Sequence, residues 1–303
     1  MFFNQGYICL ANLEKRIICF ALIEIMTYKK LKSINLCFVF VLSYLFFGVE
    51  SFTPVGRLGH SSLLVGNKLY FFGGISDADV YGLNEVFYLD VSKSFNLADP
   101  PWVDLTQNAG IQFKSCFGTV SLNDKEQTIY LFGGYMIGIT TDKDAFISNV
   151  HLFNLNSLTW NVPNIKGVPP KRRRMVNGVI DNAGKMYIFG GYTDQAFDEP
   201  GPTHINDMVI LNTVGLSWST SNSPTTRSGY AAALLSSGVI VYVGGAEFVE
   251  VSGYREVDIK QIILFDTKSL TWSVKVRMKF NLHLLNVLLL NKIKFKMSIY
   301  LCR

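Results

Sequence analysis

Histidine and cysteine, on which many catalytic and metal sites depend, are scarce in this sequence of 303 residues. There are four histidines and five cysteines, and Cys116 is the only cysteine between residues 52 and 272. That region therefore has no disulfide framework, although a chain of this length does not need one to be secreted. The histidines, which share no spacing, are His60, His151, His204 and His283. We therefore expect no catalytic residue, no metal ligand and no cofactor.

A basic face of the kind that binds nucleic acid is also missing. The formal net charge is +5, but seven of the Lys and Arg residues lie in the stretch 273–303, which contains no acid. Between residues 52 and 272 acids slightly outnumber bases. Because a nucleic-acid surface needs clustered positive charge, that class of partner is not expected.

Residues 26–51 are typical of a signal peptide. Lysines within 29–32 form a basic start, and an uncharged run follows at 34–49. Small residues at the end of this segment allow cleavage after Ser51, so that the mature chain begins at Phe52. We therefore predict an extracellular or cell-surface protein. An uncleaved membrane anchor is the alternative, although a helix of this run would reach only about 24 Å.

Two further segments stand apart from the central region. Residues 1–25 precede the natural start that we infer at Met26, and together with the signal they form an N-terminal extension, 1–51. Residues 273–303 are basic and apolar and contain no glycine or proline, so they do not continue the pattern that precedes them. A membrane-surface helix is the alternative interpretation of this tail. Membrane contact is expected only through the apolar run near the N-terminus or through this tail.

The central region contains an internal repeat. Four apolar strands each end in a pair of glycines whose first members are 60, 57 and 54 residues apart, and a tryptophan follows each first glycine after 27 to 29 residues. A basic residue precedes each pair. These repeated residues are Arg57, Gly73, Gly74 and Trp102; Lys114, Gly133, Gly134 and Trp160; Arg172, Gly190, Gly191 and Trp218; and Arg227, Gly244, Gly245 and Trp272. Four matches in phase predict four units, at about 52–110, 111–165, 166–222 and 223–272.

Each unit has the pattern of four short strands. In the first unit we predict strands at Ser61–Val65, Lys68–Phe72, 85–90 and 102–105, and the third strands of the later units are predicted at Val150–Asn154, 208–212 and Ile262–Asp266. They alternate or are apolar over four to six residues, as buried strands do, and turn residues separate them. The sequence therefore predicts an all-β domain with one antiparallel sheet per unit.

These units resemble the kelch repeat in the basic residue, the strand that ends in Gly-Gly, and the closing tryptophan. The resemblance covers 52–272 and implies a kelch-type β-propeller with four recognisable four-stranded antiparallel blades. We expect an incomplete ring, because such propellers usually have more blades. The glycines then serve close backbone approach, the tryptophans pack between blades, and the arginines hold loops. The run of four cations at residues 171–174 is interpreted as solvated surface.

The resemblance also carries two alternatives to a binding scaffold. Galactose oxidase shares the kelch propeller, and a copper radical oxidase of that type would need a cysteine joined to a tyrosine, two histidine ligands and a further tyrosine. Cys116 is the only cysteine available, and the repeat itself accounts for its place. An intracellular adaptor is the other alternative, but it normally carries a BTB domain, which 51 residues cannot hold. We therefore predict a protein that is not an enzyme.

Binding is expected on one face of the propeller. In an up-and-down blade, the loops between the second and third strands emerge at the same end as the loops between blades, and the former are variable and rich in acids. The candidate ligand-binding residues on them are Asp77, Tyr81, Tyr135, Asp142, Asp144, Tyr192, Asp194, Glu199, Glu247 and Tyr254. Such a surface suits a basic protein or a glycan.

Overall fold

The computed structural model describes residues 52–139, 148–193, 203–249 and 253–275, and almost all of their regular structure is antiparallel β-sheet. Four sheets follow one another along the chain. The first consists of β1 (Ser61–Val65), β2 (Lys68–Phe72), β3 (Val86–Asp90) and β4 (Trp102–Asp104), paired in that order. We call each such sheet a blade.

The remaining blades repeat this up-and-down order. The second contains β6 (Thr119–Asn123), β7 (Thr128–Phe132), β9 (Val150–Asn154) and β10 (Thr159–Asn161); the third, β11 (Val179–Ile180), β12 (Lys185–Phe189), β15 (Asp207–Asn212) and β16 (Ser217–Asn222); and the fourth, β17 (Ala231–Leu234), β18 (Val239–Val243), β21 (Ile262–Asp266) and β22 (Thr271–Lys275). The predicted fold class is confirmed: the chain forms a four-bladed β-propeller whose ring is not closed.

Three two-stranded sheets and two helical turns complete the regular structure of the described residues. The two-stranded pairs are β5 (Phe113–Cys116) with β8 (Tyr135–Gly138), β13 (Tyr192–Thr193) with β14 (Thr203–His204), and β19 (Ala246–Val249) with β20 (Gly253–Glu256). The helical turns are α1 (Thr106–Ala109) and a 3-10 turn at Asp124–Glu126. In the described ranges no helix has the length and apolar character needed to cross a membrane.

Neighbouring blades pack through aromatic side chains. The phenylalanine before each of the first three glycine pairs reaches the tryptophan of the following blade, with ring centroids 5.9 Å apart for Phe72 and Trp160 and 4.9 Å apart for Phe189 and Trp272. Phe132 and Trp218 make the equivalent contact at 6.1 Å. Such offset or edge-on pairs contribute about 1 kcal/mol beyond the area they bury. The blades are therefore joined by one repeated apolar contact.

The glycine pairs bring the backbones of neighbouring blades together. In the first three pairs, the second glycine donates its N–H to a carbonyl of the next blade, at 2.7 Å from Gly74 to Ser115 and 2.8 Å from Gly134 to Arg173. The first glycine has a positive φ, +59° at Gly73, and a Cβ built there would lie 2.0 Å from the carbonyl oxygen of Ser115. A side chain cannot fit unless the two blades separate.

Gly73 and Gly244 make a matched pair for testing this close approach. Both have left-handed backbone, at φ +59° and +70°, but a Cβ at Gly244 meets no heavy atom within 4 Å among the described residues. Gly73→Ala is expected to destabilise the protein by about 2 kcal/mol more than Gly244→Ala, because only Gly73 adds a clash to the conformational cost. Urea denaturation of both variants measures the difference, and equal losses would contradict the steric explanation.

Buried arginines tie each loop to its own blade in the first and third units. Arg57 donates to the carbonyl of Gly73 at 3.0 Å and pairs with Glu85, and Arg173 donates to the carbonyl of Gly190 at 3.0 Å and pairs with Asp207. Glu85 directly precedes the third strand of its blade, and Asp207 is the first residue of the third strand of its blade. Two repeat positions predicted from the sequence are corrected by the structure. The residues equivalent to Arg57 are Ser115 rather than Lys114, and Arg173 rather than Arg172, because their carbonyls accept the glycine N–H of the preceding blade.

The second and fourth blades replace this ion pair in different ways. In the second blade both members are neutral, Ser115 and Asn149, and Asn149 instead donates to the carbonyl of Pro170 at 2.7 Å. In the fourth blade the arginine is kept as Arg227, which is fully buried, but the residue before β21 is Gln261. Burial lowers the pKa of Arg227, and the charge of Glu247, in β19, opposes that shift.

Candidate binding surface on the loop face

The connections that leave the second strand and enter the first strand of each blade lie side by side. Bridges join Leu58 to Ile75 in the first blade, Arg174 to Tyr192 in the third and Ser228 to Ala246 in the fourth, and β5 pairs with β8 in the second. The predicted common end is therefore present. We call it the loop face and define it by residues 55–60, 75–83, 113–118, 135–139, 171–178, 192–193, 203–205, 225–230, 246–249 and 253–257.

A cluster of two tyrosines, an arginine and a histidine lies at the boundary of the second and third blades. The guanidinium carbon of Arg174 is 4.7 Å from the ring centroid of Tyr135 and 4.8 Å from that of Tyr192. Arg174 Nη1 also donates to the hydroxyl of Tyr135 at 2.5 Å. The ring of His204 meets that of Tyr192 edge-on, with centroids 5.3 Å apart. We call these four residues the tyrosine–arginine cluster.

The local strands explain why these side chains meet. Tyr135 begins β8, Tyr192 begins β13, and both follow the glycine pair of their blade, while Arg174 follows the buried Arg173 in the third blade. Bridge pairing places Arg174 opposite Tyr192, and β5–β8 pairing brings Tyr135 to the same boundary from the second blade. All four members are half-buried, so each is held in place and still reaches solvent.

The charge of the cluster is set by Arg174. Burial lowers the pKa of His204, so this imidazole is neutral at neutral pH. Nearby, burial raises the pKa of the Cys116 thiol to about 12, although the charge of Arg174 opposes that shift. Cys116 is thus a buried thiol rather than a thiolate nucleophile. The cluster offers one fixed positive charge framed by aromatic faces, which suits an acidic or aromatic group of a partner.

Among the candidate residues whose side chains are described, those in the loop of the first blade are the most exposed. Tyr81 is 56 % exposed, and its backbone N–H donates to Asp79 Oδ1 at 3.1 Å. Asp79 also pairs with Lys114 at 3.0 Å, which connects this loop to the second blade. Asp77 is exposed beside them. The tip therefore combines an exposed aromatic side chain with acids, in the blade before the tyrosine–arginine cluster.

Glu247, in contrast, already makes contacts within the protein through both carboxylate oxygens. Its side chain is mostly buried, with Oε1 2.6 Å from Arg255 Nη2 and Oε2 accepting from Thr225 Oγ1 at 2.9 Å. Burial alone raises the pKa of Glu247, but the hydrogen bonds from Arg255 and Thr225 and the charge of Arg227 outweigh it, so the net pKa is lowered. Glu247 therefore stays ionised as a counter-charge to buried Arg227, and its oxygens are already engaged.

Five of the predicted ligand-binding residues cannot be placed on this face. Asp142, Asp144, Asp194 and Glu199 lie outside the described residues, and of Tyr254 the structure describes only the backbone, which pairs with Phe248 in the β19–β20 hairpin. The loop face as described is thus built around Tyr135, Tyr192, Tyr81, Asp77 and Asp79.

Sequence reasoning missed Arg174 because it lies in the run at 171–174. Four consecutive cations look alike in sequence, yet Lys171 is exposed, Arg172 half-buried, Arg173 fully buried and Arg174 held between two rings. A signal was present in the repeat, since Arg173 precedes the first glycine of its pair by 17 residues, the same spacing as that of Arg227 in the fourth unit. The interpretation as solvated surface therefore holds for Lys171 alone.

The described residues offer little to the copper oxidase alternative. Within these ranges no group of three His, Cys, Asp or Glu side chains is placed to hold a metal ion. His151 is buried against Phe113, with ring centroids 4.6 Å apart, and His204 belongs to the tyrosine–arginine cluster. These two potential metal ligands thus belong to different blades.

Comparison with known proteins identifies relatives over the region of the blades. A family model described as the KLHDC2/KLHL20/DRC7 Kelch-repeats domain matches residues 59–282. Host cell factor 1 of Homo sapiens is 25 % identical over 239 residues, which cover 70 % of this chain and 11 % of that protein. Kelch domain-containing protein 3 of Homo sapiens is 28 % identical over 231 residues, which cover 71 % of this chain and 56 % of that protein. The chain spans only part of the length of these relatives.

A solved structure has the same fold. The structure of YjhT matches with a TM-score of 0.50 and 16 % sequence identity, covering 73 % of this chain and 66 % of that one. At this level of identity the likeness concerns the fold alone.

Proposed function

Because the chain belongs to the KLHDC2/KLHL20/DRC7 kelch-repeats domain family, we propose that it is a non-catalytic scaffold that binds a partner protein through its loop face. The kelch resemblance drawn from the repeated residues is confirmed by the same family match. One observation carries the proposal: the guanidinium of Arg174 lies between two tyrosine rings from different loops, at the boundary of two blades.

The chemistry of this cluster favours a protein partner. Tyrosine and arginine are among the residues most enriched at the centres of protein interfaces, where a few contacts carry most of the binding energy. Arg174 is already oriented by Tyr135 and Tyr192, so little side-chain entropy is lost when it binds. A guanidinium suits a carboxylate of a partner, and the tyrosine edges suit an aromatic or aliphatic neighbour. We infer that the partner presents an acidic residue beside an apolar one.

Arg174→Met tests the proposal because it removes the charge while keeping most of the side-chain volume. The full chain is used to capture proteins from a cell extract, and the most strongly retained protein is purified and its Kd measured. Arg174→Met and Tyr192→Ala are each expected to weaken binding about tenfold or more, with little effect on the unfolding temperature.

Lys125→Met is the matched control. Lys125 lies in the turn between β6 and β7, at the opposite end of the propeller, where its Nζ donates to the carbonyl of Asn182 at 2.9 Å. This variant loses the same charge and is expected to bind like the wild type. A partner whose affinity falls equally for Lys125→Met and Arg174→Met would contradict a loop-face site and indicate non-specific charge attraction.

Two finer parts of the hypothesis stay predictions. A glycan is the alternative ligand for the same face, with exposed Tyr81 as the side chain available for stacking on a sugar. The extracellular or cell-surface location depends on the sequence of residues 26–51, and these residues lie outside the described ranges. An intracellular kelch adaptor is the corresponding alternative for location.

A further inference from the structure

The guanidinium of Arg227 is buried without a hydrogen bond. The side chain is 0 % exposed, and none of its nitrogens, Nε, Nη1 and Nη2, has a hydrogen-bond partner among the described residues. A guanidinium carries five N–H donors and keeps its charge in proteins. Buried charges are normally paired and hydrogen-bonded, because an ion that leaves water without a partner is costly. The donors of Arg227 therefore point to a ligand of negative charge.

The equivalent arginines of the first and third blades show which ligand this position takes. In both blades Nε donates to the carbonyl two residues before the arginine, and Nη1 donates to the carbonyl of the first glycine of the pair. A carboxylate completes each site, that of Glu85 for Arg57 and that of Asp207 for Arg173. Within the described part of the chain, Arg227 makes none of these three kinds of bond. The position thus accepts a carboxylate where the blade supplies one.

The fourth blade has one carboxylate for two guanidinium groups. The residue before its third strand is Gln261, which is neutral. Glu247 supplies a charge that acts on Arg227, but one of its oxygens accepts from Arg255 and the other from Thr225. Two cations and one anion leave this group of side chains with one surplus positive charge. The charge balance therefore calls for a monovalent anion at Arg227.

We propose that the guanidinium of Arg227 binds one small monovalent anion, of the size and charge of chloride or formate. The anion takes the place that a carboxylate of the protein has beside Arg57 and Arg173, and it accepts hydrogen bonds from the N–H groups of Arg227. Its negative charge balances the surplus positive charge of the group. Because Arg227 has no exposed surface, the bound anion is enclosed by the protein, which restricts the site to small ions.

The dependence of stability on anions tests the proposal with the full chain. Urea denaturation is followed as sodium chloride rises from about 1 to about 100 mM, while sodium gluconate, whose anion is large, keeps the ionic strength constant. For a Kd of about 10 mM, the folding equilibrium constant is expected to rise about tenfold over this range. Sodium formate in place of chloride shows whether the site takes a carboxylate as well as a halide. A wild-type chain whose stability responds to neither salt would overturn the proposal.

Two variants locate the anion at Arg227. Arg227→Met removes the guanidinium and keeps most of the side-chain volume. Gln261→Glu instead supplies a carboxylate of the protein at the position that Glu85 and Asp207 occupy in their blades. Both variants are expected to lose the rise in stability with chloride, and Gln261→Glu is expected to be more stable than the wild type at the lowest chloride concentration. A rise that persists unchanged in Arg227→Met would contradict a site at this arginine.

Lys125→Met is the matched control for the loss of one positive charge. Lys125 lies at the opposite end of the propeller, so this variant is expected to keep the tenfold rise of the wild type. General effects of the salts on stability act on all variants alike and cancel in the comparison. Loss of the rise in Arg174→Met but not in Arg227→Met would assign the anion to the tyrosine–arginine cluster and overturn the proposal. No partner protein is present in these measurements, so their outcome does not bear on partner binding.

Discussion

Asp207→Asn is expected to destabilise the protein by about 3 to 5 kcal/mol, because it leaves the charge of Arg173 buried without its counter-ion. Arg173 has no exposed surface, and both oxygens of Asp207 pair with its guanidinium. The two other acceptors of Arg173 are the carbonyls of Lys171 at 3.1 Å and Gly190 at 3.0 Å. These carbonyls are neutral and cannot replace the counter-ion. The loss of stability therefore comes from keeping a desolvated guanidinium charge without an opposite charge beside it.

A double variant separates the charge from the packing. The second blade shows that neutral residues serve at both positions, since it has Ser115 and Asn149 there. Arg173→Met combined with Asp207→Asn removes the charge and keeps most of the volume, so it is expected to regain at least about half of the lost stability. Urea denaturation of the single and double variants gives the comparison. A double variant no more stable than Asp207→Asn would assign the loss to the hydrogen bonds and packing of Arg173.

The strands could be predicted closely because their signals are local. The predicted strands Ser61–Val65, Lys68–Phe72, Val150–Asn154 and Ile262–Asp266 agree with the structure residue for residue. The others differ by one residue at one end, such as β3, which begins at Val86 rather than residue 85. Alternating burial and turn residues determine where a strand lies, whereas its last residue depends on hydrogen bonds to a neighbouring strand.

The features that sequence reasoning missed depend on contacts between blades. The arginine position was assigned one residue early at Lys114 and Arg172, because a basic residue was expected in every unit and the second blade has Ser115 there. The small hairpins β13–β14 and β19–β20 lie in loops whose composition is not that of strands. Tyr135 and Tyr192 were placed on the loop face, but their meeting across Arg174 required the relative position of two blades.

The same reasoning distinguishes the four acid-pairing positions of the repeat. Glu85 and Asp207 pair with arginines of their own blade, and Asn149 occupies this position in the second blade, where Ser115 is neutral. In the fourth blade the position is occupied by neutral Gln261, and the acid that acts on Arg227 is Glu247. A shared backbone position therefore carries three different electrostatic solutions. The buried arginines of the first and third blades are thus neutralised by an acid at the start of the third strand, whereas the guanidinium nitrogens of Arg227 have no hydrogen-bond partner among the described residues and Glu247 acts on it only through its charge.

Lowering the pH from 7 to about 4 is expected to cost the protein about 3 kcal/mol through His151 alone. This side chain is 1 % exposed, its two ring nitrogens have no hydrogen-bond partner, and burial lowers its pKa from 6.5 to about 4. The folded protein therefore keeps His151 neutral at pH values where the unfolded chain takes up a proton. Because the unfolded state binds more protons between these two values, stability falls as the pH drops through that range.

His151→Phe isolates this contribution. The position corresponds to Phe87 in the first blade, Val209 in the third and Ile263 in the fourth, so an apolar side chain suits it, and a phenyl ring can keep the contact with Phe113. The variant is expected to match or exceed the wild type in stability at pH 7 and to exceed it by about 3 kcal/mol at pH 4. Urea denaturation at both pH values measures the change in this difference, in which the titration of the carboxylates cancels. His204→Phe, at a half-buried position, is the control and should show a smaller change. A stability difference between wild type and His151→Phe that does not grow as the pH falls would show that His151 is protonated in the folded protein.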